Sequence, residues 1–148
     1  MRKMRLICNR HFDKSDLLTL ADQIIVGVDD VPTRWLLAES QSKFMGVGAT
    51  THFNSMASVH YPLSGCIACL HPTDDHEQGP VPTVAFVSFL SGLMVAADFL
   101  RNVSGNQIEN QSRHAFLNPL QTSHPWFSKD LGSPRCPVRC AASKRKAA

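Results

Sequence analysis

The chain has 148 residues, 43% of them hydrophobic and 18% charged, so it holds enough apolar material for one folded domain and is not disordered as a whole. Its net charge of +3 is small, and several of the excess cations lie at the two ends, which argues against a nucleic-acid-binding stripe. No apolar segment with a small-residue cleavage site marks a secretory signal, so a cytoplasmic location is expected.

Strand and helix patterns alternate in the first part of the chain. Apolar residues 5–9 and 23–28 predict two strands, and Ser15 can cap a short helix between them that continues to residue 20. Val31 and Pro32 then open a second helix, because proline is tolerated in a first helical turn. This order predicts a parallel sheet with helical crossovers.

The middle of the chain predicts two more strands and a long helix. Residues 44–61 alternate small, β-branched and apolar side chains, with a break near residue 54, and residues 65–82 form a proline-containing loop. Residues 83–103 predict a helix that Gly105 ends. The uncharged run that overlaps it, residues 81–97, is shorter than the roughly 20 residues that a bilayer requires, so a buried helix in a protein without membrane contact is predicted.

The C-terminal part carries less pattern. Residues 107–116 predict a last strand, and a proline-rich segment follows. Residues 142–148 carry Lys144, Arg145 and Lys146 and predict a disordered basic tail, which leaves residues 1–141 as the folded domain.

Four cysteines in two close pairs give the strongest chemical signal. The pairs are Cys66 with Cys69 and Cys136 with Cys140, and thiolates two or three residues apart can converge on one ion. The two pairs together predict a closed, structural zinc site with no position left for water. Four unrelated thiols or a disulfide pair are the alternatives, and disulfides are disfavoured in the cytoplasm.

Three histidines flank the first cysteine pair. His60, His71 and His76 could supply another metal ligand or a proton shuttle, although histidines in a polar loop are more often surface residues, and that is the expectation here.

An acidic pair follows the predicted strand at residues 23–28. Ligands bind at the carboxyl ends of strands in open α/β sheets, so Asp29 and Asp30, with Arg34 one helical turn later, suit a magnesium nucleotide or an acyl phosphate. An aspartate at the start of a helix is also an ordinary N-cap. On spacing alone the cap is the favoured interpretation, and the ligand-binding one stays open.

The pair Gly46 and Gly48 is too short to be a phosphate-binding loop. Thr51 stands where a third glycine would be needed, so these glycines predict close backbone packing within a strand.

Taken in order, these segments resemble the ThiF/HesA/MoeB family of ubiquitin-activating-like adenylating enzymes. The matching segments are Gly-Val-Asp-Asp-Val-Pro-Thr-Arg at residues 27–34, Gly-Cys-Ile-Ala-Cys-Leu-His-Pro at 65–72, the helix that begins near residue 83, and the second cysteine pair. The resemblance implies an α/β fold: a partial Rossmann-like, mostly parallel sheet with helical crossovers and a four-cysteine zinc knuckle.

The resemblance also implies roles for individual residues. Asp29 matches the family's essential aspartate, which helps to hold magnesium and the adenylated carboxylate. Asp30 and Arg34 complete that cofactor-binding motif, and the four cysteines match the zinc ligands. ATP and Mg²⁺ are the family's substrate and cofactor.

The family's glycine-rich ATP loop has no counterpart in this sequence. The chain is therefore expected to represent the C-terminal half of an activating domain, inactive without the nucleotide-binding half. A ubiquitin-like or sulfur-carrier protein is the expected partner, together with a homodimer or the missing half, and no nucleic acid is expected. The alternative is a non-catalytic, zinc-containing protein-binding module.

Overall fold

The computed structural model describes residues 14, 22–40, 42–73, 83–106, 112–121, 126–129 and 132–147. The strands in these ranges are β1 (Gln23–Val26), β2 (Phe44–Thr51), β3 (Asn54–His60), β4 (Arg113–Leu117) and β5 (Trp126–Lys129). The helices are α1 (Val31–Ala38), α2 (Ile67–Leu70), α3 (Ala85–Val103) and α4 (Ala141–Ala147). The predicted strand at residues 5–9 and the predicted helix at 15–20 lie outside the described residues.

The strands form one mixed sheet in the order β1-β2-β3-β4-β5. The predicted α/β class is confirmed, and α1 forms the predicted crossover between the parallel strands β1 and β2. Among the described strands the sheet departs from the predicted mostly parallel arrangement, because the other three pairings are antiparallel. A two-residue connection, His52 and Phe53, joins β2 to β3, and so short a turn permits only antiparallel strands.

The path of α3 explains why β4 is also antiparallel to β3. Thr83 forms a bridge to His52 at the β2–β3 turn, so the chain has returned to that end of the sheet before α3 begins. The helix then runs along β3, from the contact of Val87 with Ser55 towards the contact of Phe99 with Phe44. The chain thus enters β4 from the end at which β3 stops, which reverses its direction.

Two glycines allow α3 to lie close to β2. A Cβ atom at Gly46 would lie 2.9 Å from Val95 Cγ1, and one at Gly48 would lie 2.9 Å from Ser91 Oγ. The prediction that these glycines serve close packing is therefore confirmed. The Ser91 hydroxyl also donates to the Met56 carbonyl oxygen of β3 at 2.7 Å, which fixes the helix across both strands.

The helices α1 and α2 pack on the opposite face of the sheet. Successive strand residues alternate between faces, so Met45 and Val47 point away from α3. They form a buried cluster with Leu37 of α1 and Ile67 of α2. The sheet is thus covered on both faces at β2, which is the arrangement expected of an α/β domain.

Only one side of α3 is buried. Val87, Ser91 and Val95 face the sheet, whereas Phe89 is 70% exposed. The expectation of a buried helix therefore holds for one face alone. By length and composition α3 could also cross a membrane, and 17% of its most apolar 18-residue stretch is buried. A single helix that meets this criterion is weak evidence for a membrane span.

The C-terminal part contains more structure than the sequence predicts. Strand β5 pairs with β4, and Ala141–Ala147 forms the helix α4, although residues 142–148 are predicted to be a disordered tail. Alanine, lysine and arginine are good helix formers, and the Cys140 carbonyl oxygen accepts hydrogen bonds from Lys144 N and Ser143 Oγ. Ala142 and Ser143 are buried, so tertiary packing reinforces this helix.

Candidate functional site

The four predicted metal ligands come together in space. The Sγ atoms of Cys66, Cys69, Cys136 and Cys140 all lie within 4.8 Å of one another. The measured separations are 3.7 Å for Cys66 and Cys69, 3.6 Å for Cys66 and Cys136, and 3.5 Å for Cys69 and Cys140. Four sulfurs about 2.3 Å from a tetrahedral ion would be about 3.8 Å apart, so the group can hold a metal ion.

The same distances decide against the disulfide alternative. A disulfide bond places its two sulfurs about 2.05 Å apart, and all four of these cysteines are free thiols. Their spatial convergence also argues against unrelated thiols, because the two pairs come from separate regions of the chain.

Two tight turns present the thiols. Cys66 is the N-cap of α2, and the Cys69 amide donates to the Cys66 carbonyl oxygen at 3.0 Å. In the second turn the Arg139 amide donates to the Cys136 carbonyl oxygen at 3.0 Å, with Arg139 in the left-handed region at φ 48°. The longer spacing of the second pair is thus accommodated by one residue with positive φ.

The thiols in this group influence one another's ionisation. The contact between Cys66 and Cys69 raises the pKa of Cys66 and lowers the pKa of Cys69 to about 5. Burial raises the pKa of Cys136. Crowded, partly buried thiolates repel one another, so a bound cation is what allows all four to ionise, and its binding releases protons.

The acidic motif divides into residues with different surroundings. Asp30 is the N-cap of α1, since its carboxylate accepts from the Thr33 amide at 2.6 Å. Asp29 is exposed at the carboxyl end of β1. The capping interpretation therefore applies to Asp30, while Asp29 faces the solvent.

Arg34 turns into the protein, although the resemblance places it among cofactor-binding residues. Its side chain is 6% exposed, its Nε donates to the Val28 carbonyl oxygen at 2.9 Å, and its NH1 lies 2.8 Å from Nε2 of His71. Burial lowers the pKa of Arg34, and the carboxylates of Asp29 and Asp30 oppose that shift. In this structure the buried Arg34 side chain links the Val28 backbone to His71.

A cleft of about 300 Å³ lies beside Asp29, between the end of β1, residues 48–50 of β2 and one side of α3. We call it the Asp29 cleft; its walls include Gly27, Gly48, Thr50, Ser88 and Ser91. Of the three residues in the predicted cofactor motif, only Asp29 is among the residues that line it. The cleft lies on the α3 side of the sheet, away from the cysteine group.

Two histidines differ from the prediction of surface residues. His60 is 5% exposed, with Nδ1 donating to the Gly65 carbonyl oxygen and Nε2 accepting from Ser58 Oγ. Burial lowers the pKa of His60 to about 4, and burial together with the Arg34 charge lowers that of His71 to about 4. The third, His76, lies outside the described residues.

The contacts of His71 could not be read from the sequence. Besides the Arg34 contact, its carbonyl oxygen accepts from Trp35 Nε1 at 2.7 Å. The only available signal was its place two residues after Cys69, which fixes it beside the metal ligands.

Comparisons with known proteins find similarity in structure alone. No protein-family model and no curated protein sequence matches the chain. A crystal structure of E. coli MccB with MccA-N7isoASN superposes with a TM-score of 0.68 at 14% identity, covering 91% of this chain and 45% of that one. A structure of E. coli MccB with succinimide gives a TM-score of 0.59 at 14% identity, covering 86% and 43%.

At this identity the likeness concerns the fold. The fold is consistent with the ThiF-type resemblance, and the chain spans less than half the length of the MccB chains that it matches.

Proposed function

We propose that this chain is the zinc-containing C-terminal half of a ThiF-type adenylating unit, in which Asp29 is the carboxylate that helps to hold Mg²⁺ and the adenylated carboxyl group. The observation that carries the proposal is the exposed Asp29 carboxylate at the carboxyl end of β1, beside a cleft, in a fold that matches MccB, a ThiF-family adenylating enzyme. Ligands of open α/β sheets bind at this end of the strands.

Zinc is the proposed metal at the cysteine group. Four thiolates in a tetrahedral arrangement are typical of structural zinc sites, and soft sulfur ligands disfavour magnesium and calcium. All four positions would be filled by protein ligands, so the ion would stabilise the fold and take no part in the reaction.

Magnesium is the proposed metal at Asp29. Mg²⁺ is usually held by one or two carboxylates together with substrate phosphates, which fits one exposed carboxylate beside an open cleft. Bound there with ATP, it would neutralise phosphate charge while a carboxylate oxygen of the carrier protein attacks the α-phosphorus. The bond to pyrophosphate breaks, and the carrier is left as an acyl adenylate that can release AMP in a later step.

The rest of the nucleotide site is proposed to come from another polypeptide segment. This sequence has no glycine-rich phosphate loop, and backbone amides of such a loop are what usually cradle a triphosphate. A ubiquitin-like or sulfur-carrier protein is the proposed substrate, by resemblance to the family.

The test is ATP–pyrophosphate exchange by the zinc-loaded chain with Mg²⁺ and candidate carrier proteins. We compare Asp29→Asn with Asp30→Asn, a matched control because asparagine caps a helix as well as aspartate does. Exchange that Asp29→Asn abolishes and Asp30→Asn retains would support the catalytic role and show that the chain itself completes the site.

If the chain alone shows no exchange, Mn²⁺ can replace Mg²⁺ as a paramagnetic probe. Broadening of the amide signals of residues 27–29 that disappears in Asp29→Asn would support a half-site. No Asp29-dependent broadening, in a chain that holds one zinc, would contradict the proposal.

A non-catalytic protein-binding module is the second candidate, and the exposed side of α3 favours it. Phe86, Phe89, Leu93 and Leu100 are between 48% and 70% exposed, and clustered apolar surface of this kind marks protein contacts. This candidate predicts carrier or subunit binding that is unchanged by Asp29→Asn and reduced by Phe89→Ser.

A further inference from the structure

His71 lies between the cysteine group and the Asp29 loop and takes part in neither proposed chemistry. It follows Cys69 by two residues, so a metal ion bound at the four thiols would restrict its backbone. Its carbonyl oxygen accepts from Trp35 Nε1 at 2.7 Å, and its Nε2 lies 2.8 Å from Arg34 NH1. Two successive residues of α1 thus hold His71 at its backbone and at its ring.

The direction of the Arg34 contact follows from the chemistry of the two groups. A guanidinium has only donors, so Nε2 of His71 accepts and the ring proton is on Nδ1. The same guanidinium donates through Nε to the Val28 carbonyl oxygen at 2.9 Å. That carbonyl belongs to the peptide group that precedes Asp29, so the hydrogen bonds run without a gap from the metal-binding turn to the backbone of the proposed catalytic carboxylate.

We propose that His71 is a positioning residue: through Arg34 it fixes the Val28 peptide, and thereby Asp29, relative to the metal centre. The inference rests on the proposed function only in taking Asp29 as the carboxylate that needs to be placed. The cysteine site would then order the Asp29 loop as well as its own turns, because the His71 side chain connects the metal-bound turn to that loop.

The argument depends on the burial of Arg34. The side chain is 6% exposed, and a buried guanidinium requires acceptors for its donors. Without the His71 acceptor, NH1 would turn towards water, and the Nε contact with Val28 would be lost with it. Loss of a hydrogen bond to a charged group corresponds to about tenfold or more in an equilibrium constant, so local opening of the Asp29 loop should rise by about that factor.

The experiment uses the zinc-loaded full chain and three variants. His71→Leu removes the acceptor, and His71→Gln keeps a side-chain acceptor. His52→Leu is a control at an exposed histidine whose side chain contacts the adjacent Thr51. Native mass spectrometry measures zinc content. Hydrogen exchange at the amides of Thr33 and Arg34, which bond to Asp30, reports the order of the loop.

The expected result is one zinc in every variant, with exchange at Thr33 and Arg34 about tenfold faster in His71→Leu and close to wild type in His71→Gln and His52→Leu. Mn²⁺ affinity, read from broadening at residues 27–29, should fall in His71→Leu. Unchanged exchange in His71→Leu would overturn the proposal, and equal acceleration in His71→Leu and His71→Gln would reduce His71 to a packing residue.

Two further outcomes keep the proposals separate. If His71→Leu loses zinc or fails to fold, Trp35→Phe takes its place, since it removes the donor to the His71 carbonyl oxygen and keeps an aromatic ring. An unchanged exchange rate at Thr33 and Arg34 in Trp35→Phe overturns the inference. If Asp29→Asn leaves Mn²⁺ broadening unaltered, the proposed magnesium site fails, while the exchange rates still decide the role of His71.

Discussion

Replacement of Gly48 by alanine tests the close packing of α3 on β2. The new Cβ would lie 2.9 Å from Ser91 Oγ and 3.6 Å from Val95 Cγ2. The Ser91 hydroxyl cannot turn aside without losing its 2.7 Å hydrogen bond to the Met56 carbonyl oxygen. Overpacking destabilises the folded state by about 1–3 kcal/mol. Alanine also lowers the conformational entropy of the unfolded chain, which offsets about 0.4–1 kcal/mol, so we expect a net loss of about 1–2 kcal/mol in the free energy of unfolding.

Gly92→Ala is the matched control, with the opposite sign expected. Gly92 is in the interior of α3, and a Cβ there would have no atom within 4 Å. Alanine is favoured over glycine inside a helix by about 0.8–1 kcal/mol, so this variant should be more stable than wild type. The two substitutions add the same methyl group to opposite walls of the Asp29 cleft.

Guanidinium chloride unfolding of the zinc-loaded protein, followed by far-ultraviolet circular dichroism, provides the measurement. Gly48→Ala combined with Ser91→Ala removes the clashing oxygen, so the double variant should be more stable than the sum of the single effects by about 1 kcal/mol. A Gly48→Ala protein as stable as wild type, or strict additivity with Ser91→Ala, would refute the packing argument.

Three other predictions concern the metal, pH and the cap of α1. Chelation at pH 7, or Cys136→Ser, should remove the metal and lower the thermal midpoint, measured by calorimetry with metal analysis; a metal-free chain of unchanged midpoint would contradict this. Burial lowers the pKa of His60 to about 4, so the folded state is not penalised by this group above pH 6.5 and loses stability as pH falls towards 4. Urea titrations should show about 2 kcal/mol less stability from this group at pH 5 than at pH 7. His60→Gln should reduce the dependence of the unfolding free energy on pH relative to wild type. Asp30→Ala should cost about 1 kcal/mol in urea unfolding and Asp30→Asn close to nothing, whereas equal losses would argue against the cap.

The features that the sequence predicts are those with a local cause. The strand at Gln23–Val26 and the helix at Val31–Ala38 follow from an apolar run, a cap and a proline in the first turn. The four cysteines were predictable as one site because each pair is already spaced for a single ion, which leaves only the meeting of the two turns to the fold.

The features that the sequence misses depend on contacts between distant segments. The direction of β4 depends on where α3 begins, and that is set by the bridge between His52 and Thr83. Arg34 has the spacing of a ligand-binding residue, and the approach of His71, 37 residues later, gives NH1 of its buried guanidinium an acceptor. The helix at Ala141–Ala147 looks like a charged tail until its packing is known, because its alanines alone are too few to indicate a core.

The molecule divides into a part that packing holds and a part that depends on the metal. The contact of α3 with β2 and β3 rests on glycines and buried side chains and needs no ion. The first cysteine turn contains the four-residue helix α2, and Trp35 and Ala38 of α1 pack against the cysteine group. Because Asp30, the N-cap of α1, directly follows Asp29, metal loss should disturb the Asp29 wall of the cleft while the α3 wall stays in place. The cleft is therefore bounded by α3 and by a loop whose order is expected to depend on the metal, so the metal content of a preparation should be determined before activities at Asp29 are compared.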